Sequence, residues 1–259
     1  MSVVAAENLN FVMSGTALLQ EPVTQEALEL TGAENPRVLL VGTAKPTQEK
    51  FDDFLVKAIT HFGSLGITPV NLHDFSQAPS KEEATHKIQS ADMLWVTGGD
   101  TLQLIDFWEQ HGIASEIGKA AANGTVLSGG SAGMLAWFEQ GHSDSFSYRV
   151  AEGEPWDYMF VRGLGYIAAT GCPHYDSRTK GGAPRKDDFY ERFRADASVP
   201  SVGIGITNRA ALAIHDNTYR VVAVPDASKP AEVHIFRRTD SEIADELLPI
   251  SGDYQTLPF

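Results

Sequence analysis

The stretch Thr125-Val-Leu-Ser-Gly-Gly-Ser-Ala-Gly-Met-Leu-Ala-Trp137 has the composition of a strand that turns sharply into a helix, with Ser131 on the turn. A hydroxyl nucleophile needs an exposed oxygen, a base nearby and backbone N–H groups aimed at the oxyanion that develops during attack. A strand–turn–helix elbow supplies that setting, because small flanking residues relieve the crowding and the N–H after the nucleophile points into the site. Ser131 is therefore the candidate nucleophile and Ala132 a candidate oxyanion donor. The same pattern also describes a glycine-rich turn that binds an anion or merely reverses the chain. A second glycine loop, Thr97-Gly98-Gly99-Asp100-Thr101, follows the preceding apolar run. Neighbouring parallel strands open their C-terminal loops onto one crevice, so Gly99 is placed to give a second oxyanion donor. Its alternative is a tight turn whose Asp100 caps a helix, a role compatible with the first.

A serine of this kind needs a histidine, and the chain has eight. His174 stands just after an apolar strand pattern, in Gly171-Cys-Pro-His-Tyr-Asp176, where Pro173 stiffens the loop. His142, in a polar region, is its main rival. His61, His73, His215 and His234 fall in or beside regular elements and suit structural roles. Cys172 is the only cysteine; it excludes an intrachain disulfide, fits a reducing compartment, and reads as a small buried residue in preference to a thiol nucleophile.

The elements that must position these groups alternate in type. Arg37–Gly42, Thr68–Leu72, Met93–Val96 and Thr125–Ser128 read as buried strands, and Thr47–Phe62, Lys81–Ser90 and Ile113–Ala122 as helices. Asp100 and Gln103 have capping-box spacing, which starts a further helix that runs to about His111. This succession predicts a right-handed, mostly parallel sheet. Residues 140–160 show no clear period and read as an active-site loop region, and residues 176–188 as another loop, followed by a helix to about Asp196. Val202–Ile206, Ala210–Ile214, Tyr219–Val224 and Glu232–Arg237 read as short strands that include antiparallel edge pairs.

With 259 residues, no repeat and no linker, the expectation is a single α/β domain over 1–259. A formal net charge of −14 without a basic cluster argues against a nucleic-acid partner. The start of the chain lacks a signal-peptide pattern, and no run approaches the roughly 20 apolar residues that span a bilayer. The expected location is cytoplasmic, with no membrane partner, metal or cofactor.

Gly98-Gly99-Asp100-Thr101-Leu102-Gln103-Leu104, Gly130-Ser131-Ala132-Gly133, Asp144-Ser145 and Pro173-His174-Tyr175 together resemble the peptidase E and cyanophycinase family of serine peptidases, over roughly residues 10–225. The resemblance implies a three-layer, flavodoxin-like α/β fold related to class I glutamine amidotransferases. It also implies hydrolysis of small peptides with an N-terminal aspartate through an acyl-enzyme, with a homodimer left open. By that resemblance Ser131 is the nucleophile, His174 the base, and Gly99 and Ala132 the oxyanion hole. Asp144 would meet the substrate's amine, and Arg185 would hold its aspartate carboxylate with a forked guanidinium. Two departures stand out. Asn208, in Gly203-Ile-Gly-Ile-Thr-Asn-Arg209, occupies the position of the family's third, acidic triad member, and Ala183-Pro184 precede Arg185 where aspartyl dipeptidases are more polar. An amide can orient a histidine but cannot stabilise imidazolium by charge, and an acid-to-amide change can cost about 10⁴ in turnover when it fixes the wrong tautomer. Asp176 is an alternative support for His174. The departures leave two other readings open: the same machinery on another substrate, such as a cyanophycin-like β-aspartyl peptide, or a weakened homologue that binds a small acidic ligand.

Overall fold

Continuous apolar strands need a cover on both faces, and that requirement organises the first half of the chain. The computed structural model describes residues 9–178 and 182–258; residues 1–8, within the segment tested for a signal peptide, and 179–181, within the loop expected over 176–188, lie outside them. The first half runs β1 (Asn10–Ser14), α1 (Glu21–Leu30), β2 (Val38–Val41), α2 (Gln48–Ser64), β3 (Val70–Asn71), α3 (Lys81–Gln89), β4 (Met93–Val96), α4 (Thr101–Gln110), α5 (Ile113–Ala122) and β5 (Val126–Gly130). The five strands pair in parallel in the order β1-β5-β4-β2-β3. Side chains alternate between faces. Phe11, Met13, Leu39, Val41, Leu94, Val96 and Leu127 enter one core, with Leu104, Trp108 and Ile117 of α4 and α5. Val12, Val38, Leu40, Met93, Trp95 and Val126 enter the other, with Val23 and Ala27 of α1 and Phe54, Ala58 and Phe62 of α2. The expected α/β architecture, a mostly parallel sheet between two helical layers, is therefore present here. Because α2 leaves β2 toward one face and α4 leaves β4 toward the other, the loops after these neighbouring strands diverge and open a crevice.

The second half runs α6 (Ala132–Leu135), β6 (Phe138–Ser143), a 3-10 turn (Ser145–Tyr148), β7 (Met159–Arg162), β8 (Ile167–Cys172), α7 (Arg185–Ala195), β9 (Val202–Ile206), β10 (Ala210–His215), β11 (Thr218–Ala223), β12 (Val233–Arg238), β13 (Ile243–Leu247) and β14 (Gln255–Thr256). The expected antiparallel edge is β10, β11 and β14, added beside β1. The remaining strands form a second sheet, β13-β12-β9-β8-β6-β7, parallel only at β9-β8-β6. Phe138, Ile167, Ile204, Ile206 and Ile235 on one face share the core of α4 and α5. Cys172, Tyr175 and Phe236 on the other pack against Phe189 and Phe193 of α7.

Two sequence expectations change. The ends of the segment 140–160 belong to strands β6 and β7, not to a loop. Phe-Glu-Gln-Gly-His-Ser has no apolar alternation because its buried end, His142 and Ser143, is held by hydrogen bonds. The helix expected after residue 188 begins at Arg185, directly after Pro184.

Candidate active site

Ser131 and His174 come from different sheets, and the local backbone at each is bent to bring them together. Ser131, half-buried, follows the last residue of β5 with φ 56° and ψ −117°. His174 follows β8 with φ 52°. Such backbone costs a non-glycine residue about 1–3 kcal/mol and persists only where surrounding contacts enforce it. They do: the Ser131 N–H donates to Ser14 O at 3.3 Å, the His174 N–H to Gly15 O at 2.8 Å, and the Tyr175 N–H to Ile206 O at 3.0 Å. Gly98 lies against the elbow, where a Cβ would come within 2.8 Å of the Ser131 Cβ.

The side chains form a directed chain. Ser131 Oγ is 2.9 Å from His174 Nε2, and His174 Nδ1 is 2.7 Å from Asn208 Oδ1. Asn208 Nδ2 donates to Asp176 Oδ1 at 2.7 Å and to Ser177 Oγ at 2.9 Å, and the Asn208 backbone N–H donates to the same Asp176 oxygen at 2.7 Å. A carboxylate only accepts, so Asp176 fixes which end of the amide faces it. Asn208 Oδ1 is thereby turned to His174, Nδ1 carries the proton, and Nε2 is free to accept from Ser131. Both supports considered for His174 are present, in series: Asn208 touches the ring and Asp176 aims Asn208. Burial, reinforced by the charge of Arg185, holds the imidazole's pKa below its ordinary value; the Asn208 hydrogen bond and the charges of Asp144 and Asp176 oppose this. A neutral imidazole beside a hydroxyl can take its proton.

Gly99 and Ala132 border the same elbow, and among the described residues neither N–H donates to a protein acceptor. Ala132 is the first residue of α6, where no intrahelical partner exists. Gly99 has φ 149°, and a Cβ there would come within 2.0 Å of Ala44 O, so this loop requires glycine. Asp100 caps α4 by accepting from the N–H groups of Leu102 and Gln103. The capping box is only half formed, because Gln103 Nε2 donates instead to the carbonyls of Thr43 and Lys45, at 2.8 and 2.9 Å. Ser145 has a role that its spacing did not disclose. Its buried hydroxyl accepts from the Thr101 N–H at 2.9 Å and lies 2.9 Å from Ser143 Oγ, which ties the Asp144 turn to the glycine loop.

Arg185 is 3% exposed. Its Nη2 donates to His142 O at 2.6 Å, its Nε to His142 Nδ1 at 3.4 Å, and its guanidinium lies 4.5 Å over the Tyr158 ring. Among the described residues no carboxylate pairs with it, although a buried cation ordinarily has one. Its charge and that of half-buried Asp144 both bear on His174. The rival base, His142, is sequestered. Accepting from Arg185 at Nδ1, it donates through Nε2 to Asp188 at 2.7 Å, and burial lowers its pKa to about 4. Cys172 is buried beside it, with its thiol pushed up to about 12 by burial, which removes it as a nucleophile. His61, His73, His215 and His234 bond to Thr24, Thr43, Asn10 and Asp245, as structural histidines do. Among the described residues no group of three or more His, Cys, Asp or Glu is arranged to hold a metal ion, and no helix is long and apolar enough to cross a membrane.

Comparison with known proteins places this geometry in context. The model of peptidase family S51 matches residues 11–222. The chain is 26% identical over 243 residues to the uncharacterized peptidase YgaJ of Bacillus subtilis (strain 168), covering 92% of this chain and 96% of that protein. The crystal structure of a peptidase from an acI-B1 Actinobacterium superposes with a TM-score of 0.70 at 18% identity, over 97% of this chain and 98% of that one. A candidate peptidase E protein from Listeria monocytogenes EGD-e superposes with a TM-score of 0.58 at 18% identity, over 84% and 99%. At these identities the two structures speak for a shared fold.

Proposed function

Because the chain belongs to peptidase family S51, we propose that it is a serine-type dipeptidase that cleaves after an N-terminal aspartate through an acyl-enzyme on Ser131. His174 takes the Ser131 proton as Oγ attacks the aspartyl carbonyl. The N–H groups of Gly99 and Ala132 hold the oxyanion, and the imidazolium returns its proton to the leaving amine. Water, deprotonated by the same ring, then releases aspartate. Asn208, aimed by Asp176, keeps His174 in the tautomer this requires.

The preference for aspartate rests on one observation above the others: Arg185 is a buried guanidinium beside the site with no carboxylate of its own among the described residues. An acidic substrate side chain would complete it with bidentate hydrogen bonds, while Asp144 meets the α-ammonium. The free thiol of Cys172 agrees with a cytoplasmic location. The binding-only alternative gains if nothing supports His174; the 2.7 Å contact from Asn208, itself aimed by Asp176, supports the catalytic reading instead.

Purified protein is expected to hydrolyse aspartyl p-nitroanilide and Asp-Leu and to react with a fluorophosphonate. Ser131→Ala should abolish both activities. Undiminished turnover in that variant removes Ser131 from the mechanism, and a dipeptide panel that shows no preference for aspartate removes the role of Arg185.

A further inference from the structure

On the side of Ser131 formed by the first sheet, a groove of about 730 Å³ opens beside the elbow. Ala17 and Thr97 line it. Ala17 is a direct neighbour of the site, since a Cβ on Gly98 would lie 2.6 Å from the Ala17 Cβ and 2.8 Å from that of Ser131. Gln20, also in the lining, donates its amide to Asn208 O at 3.1 Å. Lys45 belongs to the loop on which the Gly99 turn rests, through the Asp100 N–H to Ala44 O bond at 2.8 Å.

The charge of this groove departs from that of the molecule. In a chain of net charge −14, its lining carries, among the described residues, Lys45, Lys50, Lys57 and Arg209 against the single carboxylate Asp53. Lys57 is neutralised by Asp53 at 2.6 Å and Arg209 by Asp226 at 2.7 Å. Lys45 and Lys50 have no carboxylate partner among the described residues; their ammonium groups lie 5.8 Å over Phe54 and 6.0 Å over Tyr148. Burial holds the Lys45 ammonium's pKa below its ordinary value, so a bound anion there would relieve a desolvated charge. Leu18 and Val56, at 69% and 65% exposed, add unusually open apolar surface to the same groove. Two unneutralised cations beside aliphatic surface match a ligand with one carboxylate and one apolar side chain.

We infer that this groove is the leaving-group subsite, and that it holds an apolar residue with a free α-carboxylate against Lys45 and Lys50. The inference rests on the peptidase reading above. It assigns the two sides of Ser131 different tasks: Arg185 takes the acidic residue, and the Lys45 groove takes the residue released. A dipeptide satisfies both at once, whereas a substrate extended beyond its second residue leaves the lysines without a terminal carboxylate.

The test compares kcat/KM for Asp-Leu with that for Asp-leucinamide, in the wild type and in the double variant Lys45→Gln/Lys50→Gln. The free acid is expected to be preferred by about tenfold or more, the size of a charge-assisted contact, mainly through KM, and the preference should collapse in the variant. Equal use of acid and amide by the wild type, or a preference that survives in the variant, overturns the subsite. Binding of N-acetyl-leucine against N-acetyl-leucinamide, followed by calorimetry, reads the groove without turnover. Selective binding of the acid that is lost in the variant upholds the subsite even if Ser131 proves inert, which would be a failure of the peptidase reading alone. Absent or unselective binding overturns the subsite whatever the activity.

Discussion

At the scale of single residues, the use of an amide where an acid is expected becomes intelligible once Asp176 is included. The negative charge is present but lies one side chain further from the ring, and Asn208 transmits its orienting effect. Asn208→Asp should therefore not improve the enzyme. It would set two carboxylates against each other across a 2.7 Å contact, and such a pair raises the pKa of one of the two. Asp176→Asn should lower kcat by about 10²–10⁴-fold, the upper limit being the wrong-tautomer cost, because the amide is then free to turn its NH₂ toward His174. The exchange Asp176→Asn/Asn208→Asp should restore most of that loss. A single Asn208→Asp variant faster than the wild type would show that Asp176 does not act through Asn208. The lowered pKa of His174 sets the sign of the pH dependence. As the proposed base, His174 must be neutral, so kcat/KM should fall only as pH drops through a value below the ordinary 6.5. Arg185→Met removes a positive charge that contributes to that lowering, and should move the acid limb of the profile to higher pH.

At the scale of elements, α4 carries more than its own cap. Its first turn receives the side chain of its own N-cap, Asp100, and the Ser145 hydroxyl from the turn after β6. Ser145→Ala strands the buried Thr101 N–H and should cost about 1–3 kcal/mol, seen as a denaturation midpoint lower by about 2–4 °C per kcal/mol for a chain of this size. An unchanged midpoint would mean that the Thr101 N–H finds another partner. The alternation of apolar strands and amphipathic helices from Arg37 to Ser128 was legible because burial on both faces leaves a direct mark on composition. The Ser131 elbow and Gly99 loop were legible for a related reason, since crowding permits so few residue types there. β6 and β7 were not, because their buried ends depend on His142, Ser143 and partners more than 40 residues distant, such as Thr101 and Asp188. Asp176 was visible as a nearby acid, but its position behind Asn208 depends on β8 and β9 lying side by side, a tertiary fact with no local signature.

At the scale of the whole molecule, the site is a joint between two sheets. Ser131 ends a strand of the first, His174 a strand of the second, and Asn208 lies on the connection from β9 in the second to β10 in the first. The shared core beneath, from Leu104 and Trp108 to Ile204 and Ile235, keeps these ends in register. Cys172, two residues before His174, is sealed on the far face of the second sheet among Tyr175, Phe189 and Phe236. That single thiol makes the protein its own stopwatch. With sulfur inaccessible and protonated, a disulfide reagent can react only during the intervals when the second sheet lifts from α7, so the labelling rate counts those openings. Labelling at least about 10³-fold slower than a free thiol corresponds to an opening free energy of about 4 kcal/mol or more. If substrate analogues slow the clock further, the joint is clamped each time the site is filled.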